Sequence, residues 1–285
     1  MSAPARPGLR WAGYVAFAIV FAIACAFLAN WQFSRNADRS AQLALVEANY
    51  DAPAVPLAEL IPNGGEFSAS DEWHPVELTG SYLADEQLLV RNRPHGGTAA
   101  FEVLVPFQLD DGRVLIVDRG WVPPAADGPL PASIPAPPEG ESTVVVRLRP
   151  GEALPSSGRT GDEGQVPTIN LPFVADSVST DVSDAVITSA YGILVSEDPA
   201  PATVPGALAV PSEDPGPHLS YAIQWILFAI MGFIFIGYII RTERKYRRED
   251  AEDAQQAGVP RAPSRPRRRD RDAEDEDALL DAALR

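Results

Sequence analysis

The sequence predicts an α+β membrane protein: two transmembrane helices flanking a mostly antiparallel β sheet or small barrel that lies outside the membrane. Three observations carry this reading. Two long runs are apolar and free of charge, the segment between them consists of short β-branched and aromatic stretches, and basic residues collect on the far side of each run from that segment.

The first run, "WAGYVAFAIVFAIACAFLANWQF" (11–33), and the second, "LSYAIQWILFAIMGFIFIGYII" (219–240), each reach roughly 33 Å as a helix at about 1.5 Å per residue. That covers a hydrocarbon core of about 30 Å, so both are expected to span it. The first run exceeds the apolar region of a cleavable signal, and no small-residue cleavage site follows it. Cys25, preceded by Ala22-Ile23-Ala24, has the look of a lipoprotein box, yet the apolar run continues past it to Phe33 where a mature lipoprotein turns polar. An uncleaved anchor is expected.

Arg6 and Arg10 precede the first run with no acids, and Arg241, Arg244, Lys245, Arg247 and Arg248 follow the second against Glu243. Residues 34–218 hold nine basic and 27 acidic residues. The expected division is therefore a cytoplasmic amino end (1–10), helix one (11–33), an extracytoplasmic β-rich domain (34–218), helix two (219–240) and a charged, disordered cytoplasmic tail (241–285). Both termini are expected to face the cytoplasm across a cell membrane, and membrane lipid is one expected partner. Such an acidic domain lacks the basic footprint that nucleic acid requires. The single cysteine, inside an apolar run, excludes an intrachain disulfide framework and paired thiolates for copper transfer.

Helix one is expected to continue beyond the membrane, because "SRNADRSAQLALVEANY" (34–50) contains no proline or glycine. A short helical turn follows at Leu57–Leu60. Strands are expected at 72–83, 86–92, 99–109, 112–122 and 142–150, with "LDDG" as a hairpin turn between the third and fourth. A helix is expected within 171–185 and a last strand within 185–198. The loops 123–138 and 151–167 read as mobile surface excursions.

Polar residues at the membrane edge stand out. Trp31-Gln32 closes the first run and Gln224-Trp225 lies just inside the second, at similar depth if the helices are antiparallel. An interfacial aromatic belt explains the tryptophans. A glutamine amide in hydrocarbon wants a partner, and a Gln32–Gln224 hydrogen bond between helices, or a bond to another protein, supplies one. His218 falls in the opening turn of helix two, after Pro217. The positive end of the helix dipole favours the neutral ring, the form that ligates a metal such as haem iron. A bland alternative is an interfacial histidine bonded to water or a headgroup. His74 and His95 lie far from any carboxylate or cysteine at metal-ligand spacing, and "HGG" (95–97) lacks an accompanying G-x-S-x-G turn. No nucleophile–base pair can be assembled, so a non-enzymatic role is expected. "DRGWV" (118–122) ends an apolar strand and is either an interaction patch or a packed strand end.

The ordered set W-Q-x-x-R (31–35), R-G-W-V-P (119–123) and H-L-x-Y-x-x-x-W (218–225) resembles the surfeit locus protein one family of cytochrome c oxidase assembly factors, over about residues 11–245. The resemblance implies a chaperone-like factor that assists haem a insertion or stabilises the immature catalytic subunit. The alternative is a permanent accessory subunit of the oxidase or of a respiratory supercomplex. It implies haem a as a transiently held cofactor, with His218 as haem-iron ligand and Tyr221 and Trp225 as haem contacts. It further implies partner or helix contacts at Trp31, Gln32, Arg35, Arg119, Gly120, Trp121 and Gln224. The implied partners are the oxidase catalytic subunit and other respiratory-chain subunits.

Overall fold

The structure is a computed structural model that describes residues 7–256 apart from 96, 127, 129, 157, 159–161 and 163. It divides into two units, residues 33–218 and the remaining helical segments.

Helix α1 (Pro7–Asn49) runs unbroken for 43 residues, well past the apolar stretch, as the absence of proline and glycine from 34 to 50 requires. Helix α5 (His218–Gln256) also outruns its apolar part. Residues 241–256, expected as disordered tail, are helical; Arg247 pairs with Glu243 at 2.9 Å and Lys245 with Glu249 at 3.7 Å, the i,i+4 spacing that supports a helix in water. The rest of the expected tail, 257–285, lies outside the described residues. Both helices are long and apolar enough to cross a membrane. Only 17% of the apolar window of α1 and none of that of α5 is buried, which separates them from core helices of a soluble domain. Where the two meet, the residues are small: Ala18, Cys25, Ala29 and Ala222 are buried, and the Phe21 ring lies over Gly232. The Arg244 guanidinium sits 4.9 Å from the Trp11 ring centroid, so the helices run antiparallel. Without a hydrophobic force between helices in lipid, close approach through small residues supplies the packing.

The other unit is a barrel. Its strands are β1 (Val55–Pro56), β2 (Pro75–Tyr82), β3 (Leu88–His95), β4 (Thr98–Leu109), β5 (Val114–Val122), β6 (Glu141–Arg149), β7 (Gln165–Val166) and β8 (Tyr191–Asp198). Pairing runs β2–β6–β8–β5–β4, and β4 returns to β2, closing a five-stranded circuit. Only the β5–β8 step of that circuit is parallel. Five strands closed with Greek-key connections give an OB-type barrel, which leaves few edges for aggregation. Gly80 makes the closure possible: a Cβ there would collide with the Gln108 carbonyl across the β2–β4 seam. Strand β3 extends the sheet from β4, with β7 beside it, and β1 lies beside β2.

Side-chain alternation places two cores. Val103, Val105, Phe107, Leu115, Val117, Val144, Val146 and Leu148 fill the barrel. Leu104, Ile116 and Tyr191 point the other way and are covered by Leu171 and Val174 of α3 (Leu171–Ala175). Strand β6 shows clean in–out alternation, whereas β4 and β5 are buried on both faces, which explains their near-continuous apolar sequence. The expected helix at 171–185 is two short ones, α3 and α4 (Thr180–Ser183), and the turn at Leu57–Leu60 is present as α2. The LDDG turn is a hairpin, with Gly112 at φ +85°.

Described parts of the two expected excursions are tied to the sheet, while 127, 129, 157, 159–161 and 163 lie outside the described residues. Pro137 and Pro138 are buried and Ile134 packs on the barrel core, while Glu152 and β7 tie the second loop to the sheet.

Candidate functional site

Three places gather the polar groups that sequence reasoning singled out. The first is the start of α5. The chain approaches it through a turn in which Ser212 Oγ accepts from Asp214 N–H at 3.2 Å and Asp214 Oδ1 accepts from Gly216 N–H at 2.8 Å. Arg39, on the extension of α1, donates from Nε to the Asp214 carbonyl at 3.0 Å and from Nη2 to the Ser212 carbonyl at 2.6 Å. The return segment is thereby fixed just before the helix. His218 then opens α5, half-buried, with its ring edge near Gly216; a Cβ on that glycine would lie 3.7 Å from the His218 Nε2. Gly216 sits at φ +72°, a conformation that favours glycine. Tyr221 and Trp225 follow His218 by three and seven residues, which places all three on one helical face. Tyr221 is about half exposed, and the half-buried Trp225 meets Phe228 edge-on at 5.7 Å. Gln224 is exposed.

On α1, Trp31 is exposed and Gln32 half-buried, and Arg35 lies one turn beyond Trp31 on the same face. The helix carries this motif straight out of its apolar run without a break.

The second place is the inside of the barrel. Arg119 is fully buried and bidentate to Glu197, Nε to Oε1 at 2.7 Å and Nη2 to Oε2 at 3.0 Å. It also donates to the Pro135 carbonyl at 2.8 Å and the Ala136 carbonyl at 3.3 Å. The Tyr82 hydroxyl donates to the same Glu197 oxygen at 2.7 Å, and burial together with that carboxylate pushes the phenol well above its usual range. Every polar atom of the pair has a partner, the condition under which a buried ion pair is tolerated. Arg119 therefore clamps the proline-rich loop from the interior. Gly120 beside it is set by a close backbone approach. A Cβ there would strike the Gly206 carbonyl, and its φ of +120° lets the strand accept the return segment.

The third place lies at the end of β5, on the opposite face. Trp121 exchanges two backbone hydrogen bonds with Gly206, 2.9 and 2.8 Å, and its half-buried ring stacks on His95 at 5.3 Å and 4°. His95 Nε2 lies 3.2 Å from Glu102 Oε1, so this histidine, isolated in the sequence, does have a carboxylate beside it. Arg93 pairs with Glu102 at 2.5 Å and with Glu152 at 2.7 Å. Burial opposes the Arg93 cation, but the Glu152 bond and the two acidic charges outweigh it. Burial likewise opposes the Glu152 carboxylate, and the bonds from Arg93 and Thr168 hold its pKa below the usual value. Asp118 is wholly buried; Oδ1 accepts from Gly120 N–H at 3.0 Å, while Oδ2 has no hydrogen-bond partner. Desolvation first, and the Glu102 charge second, push this carboxyl well above its ordinary range. Bulges between Val90 and Arg93 and between Glu102 and Leu104 turn the strands here and bring these side chains together. The hairpin register was the available signal, since it sets β3 against β4 around Gly97.

Among the described residues, no three His, Cys, Asp or Glu side chains gather as a metal site. The polar groups of the barrel are bound chiefly to one another, while the accessible aromatic and amide groups lie along the helices. The class defined is a membrane-anchored β-barrel whose interior charges hold shape.

The model of the SURF1 family matches residues 19–230, and the chain belongs to that family. An uncharacterized SURF1-like protein of Mycobacterium bovis is 36% identical over 250 residues, covering 86% of this chain and 88% of its own. A SURF1-like protein of Rickettsia felis is 30% identical over 96 residues, 33% of this chain and 39% of its own. The cytochrome oxidase assembly protein SHY1 of Saccharomyces cerevisiae is 27% identical over 97 residues, 34% of this chain and 24% of its own.

Proposed function

We propose that this protein is a non-enzymatic assembly factor for haem–copper cytochrome oxidase, helping haem a reach the catalytic subunit or stabilising that subunit while it is immature. Membership of the SURF1 family across both helices and the barrel is the observation that carries this, and the yeast relative is named for oxidase assembly. The protein works from the cell membrane with both termini in the cytoplasm and the barrel outside, a reading supported by the basic residues at the far ends of the two apolar runs.

Haem a is cargo in this reading. It is a flat amphiphile and partitions to the membrane surface, where His218 stands at the head of a lipid-facing helix. The donor set fits it: an imidazole able to ligate iron, with Tyr221 and Trp225 on the same face for the macrocycle. Arg39 has a positioning role, because its two bonds to the Ser212–Asp214 turn hold the segment that delivers His218. Trp31, Gln32 and Gln224 in the helical unit, and Arg35 and Trp121 in the barrel unit, are each contacts for oxidase or other respiratory-chain subunits in this reading.

The test is purification of wild type and His218→Ala from cells that make haem a. The expected result is a Soret band that falls at least about tenfold in the variant, with intact folding by circular dichroism. Equal Soret intensity removes His218 from the site. Deletion of the gene should reduce the haem a signal of the membranes; a normal signal with normal oxidase turnover overturns the function. Stoichiometric recovery with mature oxidase identifies a permanent accessory subunit instead.

A further inference from the structure

The helix pair carries, at its basic end, a feature that haem handling does not use. A groove of about 1090 Å³ there is lined by Trp11, Tyr238, Arg241, Arg244, Lys245 and Arg248, among others. A second groove, lined by Gly13, Tyr14, Phe17, Phe235, Ile236 and Ile239, lies next along the same two helices. Its lining is apolar apart from the tyrosine, whereas the first groove carries a cluster of cations. Two acids on α5 are already engaged, Glu243 with Arg247 and Glu249 with Lys245. That leaves Arg241, Arg244 and Arg248 to set the field of the groove. Arg244 is held over the Trp11 ring, and the Trp11 indole N–H is buried without a hydrogen-bond partner. Gly13 and Gly237 contribute open space, since a Cβ at either position would meet nothing within 4 Å.

We propose that these two grooves form one binding site for an anionic phospholipid. Its phosphate is held by Arg241, Arg244 and Arg248 with the Trp11 N–H as a further donor, and an acyl chain lies in the groove over Gly13 and Phe17. Charge complementarity selects the headgroup, and the succession of a basic and an apolar groove along the same two helices selects a lipid over a soluble anion. Basic residues near a membrane surface attract anionic lipid in any protein. A site is distinguished from that general attraction by the ring-fixed arginine, the unsatisfied indole donor and the apolar extension.

The full-length protein, reconstituted in nanodiscs of phosphatidylglycerol and phosphatidylcholine mixed equally and then released into detergent, is examined by native mass spectrometry. One phosphatidylglycerol is expected to remain bound, with little phosphatidylcholine. Retention should weaken about fivefold for each arginine changed to glutamine in Arg241→Gln, Arg244→Gln and Arg248→Gln. Because removing these charges can disturb insertion, Gly237→Leu provides a second arm: it keeps every charge, favours the helix and fills the groove, and should also expel the lipid. Equal retention of the two lipids overturns the proposal, as does unchanged retention in Gly237→Leu. Displacement of phosphatidylglycerol by millimolar inorganic phosphate overturns it too, because the site then reads a phosphate alone.

Discussion

The barrel and the helix pair solve opposite versions of one problem. In the barrel the large apolar side chains face inward, and Phe107, Leu115, Val117 and Leu148 are inaccessible to solvent. In the helix pair they face outward: Phe17, Phe27, Ile234 and Phe235 are more than half exposed, while alanines, a cysteine and a glycine make the internal contact. Charges follow the reverse rule. The barrel admits Arg119 and Glu197 to its interior and buries Asp118 on its opposite face, and the membrane runs admit none. Burial from water drives the first arrangement, and close backbone approach within lipid drives the second.

The contrast can be broken most severely at Arg119. Replacing it with alanine strands Glu197 in the barrel and frees the 135–136 loop, and should cost about 3–5 kcal/mol. Chemical denaturation of the purified protein, followed by tryptophan fluorescence, measures it; a loss below about 1 kcal/mol would mean that the pair is hydrated.

A smaller and pH-dependent effect is expected at Asp118. Its folded pKa is raised, so the stability it contributes is complete below the ordinary aspartate value of 3.8 and is lost as pH rises through the shifted value. Asp118→Asn stays neutral throughout. The variant should therefore melt higher than wild type above neutrality, with the gap shrinking as the solution is acidified. A gap that is constant with pH would show that Asp118 is not held in its neutral form.

The least effect belongs to Phe27→Ala on α1. Phe27 is 79% exposed and lies in the apolar run, so its truncation should change thermal stability in detergent by less than about 0.5 kcal/mol. A loss of the size expected for a core phenylalanine, about 3 kcal/mol or more, would place this face against protein and not lipid.

Much of the fold was legible because its signals are local. Uncharged runs announce the helices, and "STVVVRLR" alternates as a strand with one buried face must. Helical spacing puts His218, Tyr221 and Trp225 on one face, although it was the family resemblance that singled them out as a set. Other parts were not legible. Arg119 and Glu197 are 78 residues apart, and nothing near either residue names the other. For that reason DRGWV read equally as an interaction patch or a packed strand end, and only the fold turns its arginine to the barrel interior. His95 meets Glu102 only because a hairpin with bulged strands turns both toward Arg93.

The sequence by itself determined two membrane-length helices, a strand-rich acidic module between them and the order of its strands, since each depends on periodicity and composition over a few residues. Tertiary structure alone decided that the strands close on one another through Gly80, which charges are sealed within, and which loops are held by them. Those outcomes depend on pairings between distant segments, where burial raises the cost of any unmatched charge and so selects one arrangement from many.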